Sequence, residues 1–300
     1  MRPQSLAVLG LGAMGGSLAW QSRLAGVQSV IGYSPDRADS VQALRAGAVH
    51  DIADSPMRAV RGADLVVLAA PPQAILDLLA VISPHLAPGA LVTDVASIKV
   101  PMITHAVELG LGSRFAGSHP FTGTHVSGWA GAAQDRFTGA IVYVCSTGSS
   151  GDAAAREVMN FWEGVLGSHP VLIDALAHDT QLAWTSHLPQ AVASALARAL
   201  AREPSVRGAS WGTGARDTTR LAASPAEMWV DIFLMNREPV CRALERSERE
   251  LAALRTLIEA GDRAALYAYL EEAALFRRRL DESGAPAGPS RRRASEPAEG

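Results

Sequence analysis

Three glycines at fixed spacing, Gly10, Gly12 and Gly15, follow directly on the apolar run Leu6–Leu9 and open a stretch, Gly15–Ala25, with helical periodicity. This arrangement restricts the fold sharply. A turn between a buried strand and a helix needs its first glycine to bend tightly. The second lets a bulky anion approach the backbone, and the third lets helix and strand pack closely. The helix that starts there offers unpaired N–H groups and the positive end of its dipole. A bare GxGxxG also fits an ordinary glycine turn. With a strand before it and a helix after it, the spacing reads as a dinucleotide-binding loop, with Gly10, Gly12, Met14 and Gly15 as the cofactor-contacting positions.

The rest of the first half agrees with that loop. Leu6–Leu9, Ser29–Gly32, Leu65–Ala69 and Leu91–Val95 are apolar throughout rather than alternating, as strands of a parallel sheet covered on both faces are. Helical stretches, Gly15–Ala25, Ala38–Ala46 and Gln73–Ile82, lie between them. Arg114–Ala116 and Ala140–Val144 add two further strands. This alternation predicts a Rossmann-type, doubly wound α/β domain over residues 1–152. Strand signals then thin out, apart from His169–Ile173. Ala175–Ala201 reads as one long helix kinked near Pro189, followed by helices over Pro225–Leu257 and Arg263–Asp281. Residues 153–282 are therefore expected to form an all-α domain, and its long apolar-striped helices point to a homodimer. Residues 283–300 hold little to bury and read as a disordered tail.

Composition excludes several classes. Of 300 residues, 48% are hydrophobic and 19% charged, with a net charge of −3, so neither nucleic acid nor an anionic membrane is an expected partner. The N-terminal apolar run is too rich in glycine for a signal helix, and no later run is long enough to span a membrane. Two widely spaced cysteines, Cys145 and Cys241, suit a reducing compartment, so the expectation is a cytoplasmic protein. The scattered histidines do not form a ligand motif such as HExxH, and no metal is expected. The cofactor is NAD or NADP. An acidic residue just after the second strand would hold the ribose hydroxyls, and Ser34 stands there instead. Arg37 suits a 2′-phosphate, while Asp36 suits NAD, or both are plain loop charges.

Four further segments carry chemistry: DVASIK (Asp94–Lys99), GSHPFTG (Gly117–Gly123) following a strand, HDTQLAWTSHLPQ (His178–Gln190), and ARDTTRLAASPAEMWVDIFLMN (Ala215–Asn236). A histidine between serine and proline is poorly suited to core packing, and an arginine beside threonines suits a carboxylate. Together with GLGAMGGSLA, these segments, in this order from Leu6 to about Arg242, resemble the prephenate/arogenate dehydrogenase family. The resemblance implies oxidative decarboxylation of prephenate or arogenate toward tyrosine. His119 matches the histidine that bonds the substrate hydroxyl and assists its deprotonation. Ser97 matches the serine that orients it, Arg220 an arginine that binds a carboxylate, and His178 a further histidine lining the site. Many prephenate-using members end the HLPH motif in histidine, where this chain has Gln190, which leaves the substrate choice open and leans toward arogenate or use of both. Two rival readings are a β-hydroxyacid dehydrogenase of the same build and a nucleotide-sensing regulator. The first typically needs a catalytic lysine in the helical half, and Lys99 is the only lysine here. The second has no need of Ser97, His119 and Arg220 together.

Overall fold

The computed structural model describes residues 2–123 and 126–282. The proposed tail, 283–300, lies outside them. Eight strands form one sheet: β1 (Ser5–Leu9), β2 (Ser29–Tyr33), β3 (Asp51–Ile52), β4 (Leu65–Leu68), β5 (Leu91–Asp94), β6 (Phe115–Pro120), β7 (Ile141–Ser146) and β8 (His169–Leu172). Their spatial order is β3-β2-β1-β4-β5-β6-β7-β8, and every pairing is parallel except β6 with β7. The order reverses between β1 and β4. At such a switch point the crevice beyond the carboxyl ends of the strands is the natural ligand seat.

Uniformly apolar strands follow from burial on both faces. Leu6 and Val8 of β1 join a core cluster with Leu18, Phe161 and Trp162, whereas Ala7 and Leu9 face the other way into a cluster with Ile75, Leu79 and Met102. Each cluster lies under its own helices. The first is covered by α1 (Ala13–Leu24) and α6 (Asp152–Gly164). The second lies under α3 (Pro56–Ala59), α4 (Pro72–Ile82) and α5 (Val100–Glu108); α2 (Arg37–Arg45) follows β2. A period of two along the strand thus feeds two cores at once.

Three details differ from the sequence reading. First, GSHP does not follow a strand; it is the end of β6. Antiparallel pairing with β7 (His119 opposite Tyr143, Pro120 opposite Val142) extends the strand through residues that look like a turn. Second, the helix beginning at Ala175 changes form before Pro189. It runs as α7 (Ala175–Leu182), a π-helical turn (Ala183–His187) and α8 (Leu188–Arg202), with Pro189 as the second residue of α8. Third, Pro225–Leu257 is two helices, α10 (Ala226–Met235) and α11 (Arg237–Ala260), broken at Asn236, whose side chain is used elsewhere. Between α8 and α10 lies α9 (Thr213–Thr219), and α12 (Arg263–Glu282) comes last.

The chain divides into one compact unit ending at Leu244 and a second beginning at Glu245. In the second unit, Leu251, Ile258, Tyr267 and Phe276 are exposed by 59–70%. Among the described residues no helix is long and apolar enough to cross a membrane.

Candidate active site

Backbone geometry builds the first part of the site. Gly10 has φ +102°, and its N–H donates to Tyr33 O at 2.7 Å, tying the loop to the end of β2. A Cβ on Gly10 would lie 2.1 Å from Ala69 O, and one on Gly15 would lie 1.8 Å from Gly10 O. Neither position admits any side chain. Gly12 is different. A Cβ there would make only ordinary contacts, the nearest with Gly128 Cα at 3.7 Å. Gly12 also caps α1 without any side-chain hydrogen bond, which leaves the first amides of α1 for an anion. A dinucleotide fits these residues. Met14 packs half-buried against the first core cluster. Ser34 lines a cavity of about 370 Å³ with Gly10, Tyr33 and Ala69, and Arg37 is exposed at the start of α2.

Side chains build the second part. His119, at the end of β6, is half-buried, and its Nδ1 lies 2.9 Å from His178 Nε2. His178 is fully buried, and its Nδ1 lies 2.7 Å from Asp179 Oδ1. Asp179 is fixed in turn: Lys99 N donates to Oδ1 at 2.7 Å and Val100 N to Oδ2 at 2.8 Å. These contacts fix the proton on His178 Nδ1, and the rest follows for a His178 that carries only that one. The carboxylate only accepts, so His178 Nδ1 must donate to it. A neutral His178 then accepts at Nε2, so His119 Nδ1 donates, and His119 Nε2 keeps its lone pair. Burial above all, then the neighbouring His178, Lys99 and His187, holds His119 well below the usual imidazole value, so the ring is neutral at pH 7. Tyr143 and Phe121 pack edge-on around the pair.

Beneath this pair lies a buried ion pair. The Lys99 ammonium contacts Asp94 and donates to Ser118 O at 2.7 Å, with both charged side chains fully buried. Asp94 also accepts from Ala96 N at 2.9 Å and Ser118 N at 3.1 Å. Burial raises its carboxyl pKa, and Lys99 and these N–H groups oppose the rise. The ion pair locks the strand that carries His119 to the loop that carries Ser97. Ser97 itself is half-buried and makes no hydrogen bond among the described residues.

A third group lies on the helices. Asn236 Nδ2 donates to Asp179 O at 2.8 Å and to His187 Nδ1 at 3.1 Å. His187 therefore carries its proton on Nε2, and burial lowers its pKa to about 4. That Nε2, together with Trp229 Nε1 and Gln190 Oε1, is buried without a partner. Gln190 Nε2 is engaged by Ser194 at 3.3 Å, so its carbonyl oxygen is the free end. Buried polar atoms without partners are costly, and these offer two donors and one acceptor to a polar ligand.

Comparison with known proteins is decisive at this point. Residues 18–170 match the family model for the prephenate dehydrogenase nucleotide-binding domain, and residues 174–272 match the prephenate dehydrogenase dimerization domain. The chain belongs to the prephenate dehydrogenase family. One relative is the prephenate dehydrogenase of Bacillus subtilis (strain 168), 32% identical over 283 residues that cover 91% of this chain and 75% of that protein. Among solved structures, prephenate dehydrogenase from A. aeolicus in complex with hydroxyphenyl propionate and NAD+ superposes with a TM-score of 0.85 at 29% identity, covering 92% of this chain and 97% of that one. Synechocystis arogenate dehydrogenase gives 0.79 at 29% identity, covering 92% and 99%. Membership makes this chain an NAD(P)-dependent dehydrogenase with a helical dimerisation domain.

The structure joins His119 to His178 directly. Gln190 lies on the same helical run as His187, three residues on. Arg220 is exposed on the turn after α9, and no hydrogen bond or ion pair among the described residues ties it to this cluster. Sequence reasoning gave no role to Asp179, His187, Asn236 or the Lys99–Asp94 pair. The only signal for the first was its place beside His178.

Proposed function

We propose that this chain oxidatively decarboxylates prephenate or arogenate, passing hydride to NAD(P)+, with His119 as the base. The free lone pair on a neutral His119 Nε2, set by the hydrogen-bond sequence from Asp179 through His178, carries the reading. A bound nicotinamide supplies the hydride acceptor. His119 Nε2 takes the proton of the ring hydroxyl. The electron pair left on oxygen drives hydride from the same carbon, the ring carboxylate departs as carbon dioxide, and the ring becomes aromatic. The Asp179 carboxylate then faces two rings that share one positive charge, which it stabilises while holding both in place. Ser97 orients the hydroxyl, and the unpaired guanidinium of Arg220 receives a carboxylate of the substrate.

Gln190, His187 and Trp229 favour arogenate. Two N–H donors match a carboxylate, and a neutral carbonyl oxygen matches an ammonium, the combination that an amino-acid side chain presents and a keto acid does not. The protein works as a homodimer in the cytosol. The first part is supported by the matched dimerisation domain and the exposed apolar residues of α11 and α12, the second by two free cysteines, one of them exposed. Reduced cofactor is followed at 340 nm with each substrate and each dinucleotide. Turnover of arogenate ahead of prephenate is expected, and turnover of neither sinks the proposal.

A further inference from the structure

Four rings form a closed circuit at the carboxyl end of β6. His119 meets Phe121 at 5.8 Å between ring centroids, Phe121 meets Tyr143 at 5.9 Å, Tyr143 meets His178 at 5.6 Å, and His178 returns to His119 at 5.1 Å. Every contact is edge to face, with interplanar angles of 62–78°, an arrangement that aromatic pairs prefer. Three of the rings have evident work. His119 and His178 handle the proton, and Tyr143 closes over both, its hydroxyl accepting from Gln181 Nε2 at 3.1 Å. Phe121 has no such task. It is 52% exposed, and it carries no polar group to gain from contact with water.

The strand says where Phe121 stands. Its N–H donates to Ile141 O at 2.7 Å, so the pairing with β7 continues past Pro120. Side chains two residues apart on a strand share a face, which puts Phe121 about 6.5 Å beyond His119 on the same side. Because β6 runs parallel to β5, beyond His119 means toward the crevice at the carboxyl ends of the strands. His119 Nδ1 is taken by His178, and Nε2 alone is left to meet a ligand. A hydroxyl delivered to Nε2 from the crevice brings its six-membered ring alongside Phe121. The Phe121 ring is already fixed by its own amide, by His119 and by Tyr143, so it is ordered before a partner arrives.

We propose that Phe121 is the platform for the substrate ring and that it favours the aromatic ring of the product over the diene. The proposal rests on the oxidation read from His119 and adds the residue that holds the ring. In the diene, the carbons bearing the hydroxyl and the ring carboxylate are tetrahedral and project substituents from both ring faces, which keep Phe121 at a distance. As hydride and carbon dioxide leave, both carbons become planar, and the ring acquires the quadrupole that pairs with another aromatic ring. The contact thus strengthens along the reaction, as a contact that aids turnover must. The test is equilibrium binding of 3-(4-hydroxyphenyl)propionate and of its saturated counterpart, trans-3-(4-hydroxycyclohexyl)propionate, to the full-length protein with saturating dinucleotide. Phe121→Leu keeps apolar bulk and removes the π face. It should weaken the aromatic acid by roughly three- to tenfold, the worth of one aromatic pair, and leave the saturated acid nearly as in wild type. Phe121→Tyr, which restores a π face, should keep the wild-type preference. The acid limb of kcat/KM should stay in place in both variants. Equal losses for the two acids in Phe121→Leu, or none for either, overturn the proposal. So does an acid limb that moves, because Phe121 then serves His119 rather than the ligand. Failure of the underlying reading looks different: wild-type protein then binds neither acid, and the platform falls with it.

Discussion

The two sides of the crevice are built from different materials. On the glycine side the functional groups are backbone amides, and the sequence contributes mainly by leaving side chains out; Gly10 and Gly15 have no room for a single added carbon. On the β5–β6 side the functional groups are side chains, and His178, Asp179, His187 and Asn236 are all buried and joined by hydrogen bonds of 2.7–3.1 Å. One side is therefore sensitive to volume and indifferent to protons. The other tolerates changes of equal shape and fails when a donor becomes an acceptor.

Four substitutions sharpen that contrast. The largest effect is expected from His119→Asn, which removes the proposed base. Turnover should fall by roughly 10² or more, the scale for losing a general base, with the thermal midpoint little changed. Near-normal turnover would put the base elsewhere. The wild-type pH profile belongs to the same test. Because burial above all, and then the neighbouring His178, Lys99 and His187, lower the His119 pKa, the neutral base persists below the ordinary histidine value; kcat/KM should stay level as pH falls through 6.5 and drop only well below it. A limb at the ordinary histidine pKa would contradict the buried pair.

Asp179→Asn changes no volume and reverses one hydrogen-bonding sense. The amide can donate to His178 Nδ1, which turns the His178 and His119 tautomers over and leaves His119 Nε2 protonated. We expect turnover to fall by about 10² together with a loss of roughly 1–3 kcal/mol in stability, since an N–H of the new amide now faces the Lys99 or Val100 amide. A stability loss without a loss of rate would make Asp179 structural only. Gly15→Ala is the counterpart on the other side. It should weaken both dinucleotides by about tenfold or more, the result of a Cβ forced against Gly10 O, yet leave the pH profile of the remaining activity unaltered. Unchanged affinity would mean that the loop yields. Gln190→His should have the smallest effect, shifting the ratio of kcat/KM values toward prephenate by about tenfold, the worth of one hydrogen bond to a charged group. An unmoved ratio would return Gln190 to helix packing.

The same contrast explains what was legible beforehand. The glycine loop is local: its strand, turn and helix lie within twenty residues, and β1, β4 and β5 emerged within a residue or two of where their apolar runs placed them. The side-chain network is not local. Lys99 and Asp179 are 80 residues apart and Asp179 and Asn236 are 57 apart, so no spacing announces them. His119 stood out because histidine between serine and proline suits no core, but its strand looked like a turn until β7 supplied the pairing. The break at Asn236 was hidden for a related reason. Asparagine is tolerable within a helix, and its partners here, the Asp179 carbonyl and His187 Nδ1, are distant in sequence.

Lys99 is the sole lysine among 300 residues, and its side chain has no exposed surface. The folded chain thus offers an acylating reagent no lysine amine at all. Modification of Lys99 must wait for the sheet to part from the loop above it, so the slow growth of one mass increment would time that event directly. A cofactor that closes the crevice should lengthen the wait. The residue that locks the site together is thereby a built-in clock for its opening, readable by intact mass without an engineered probe.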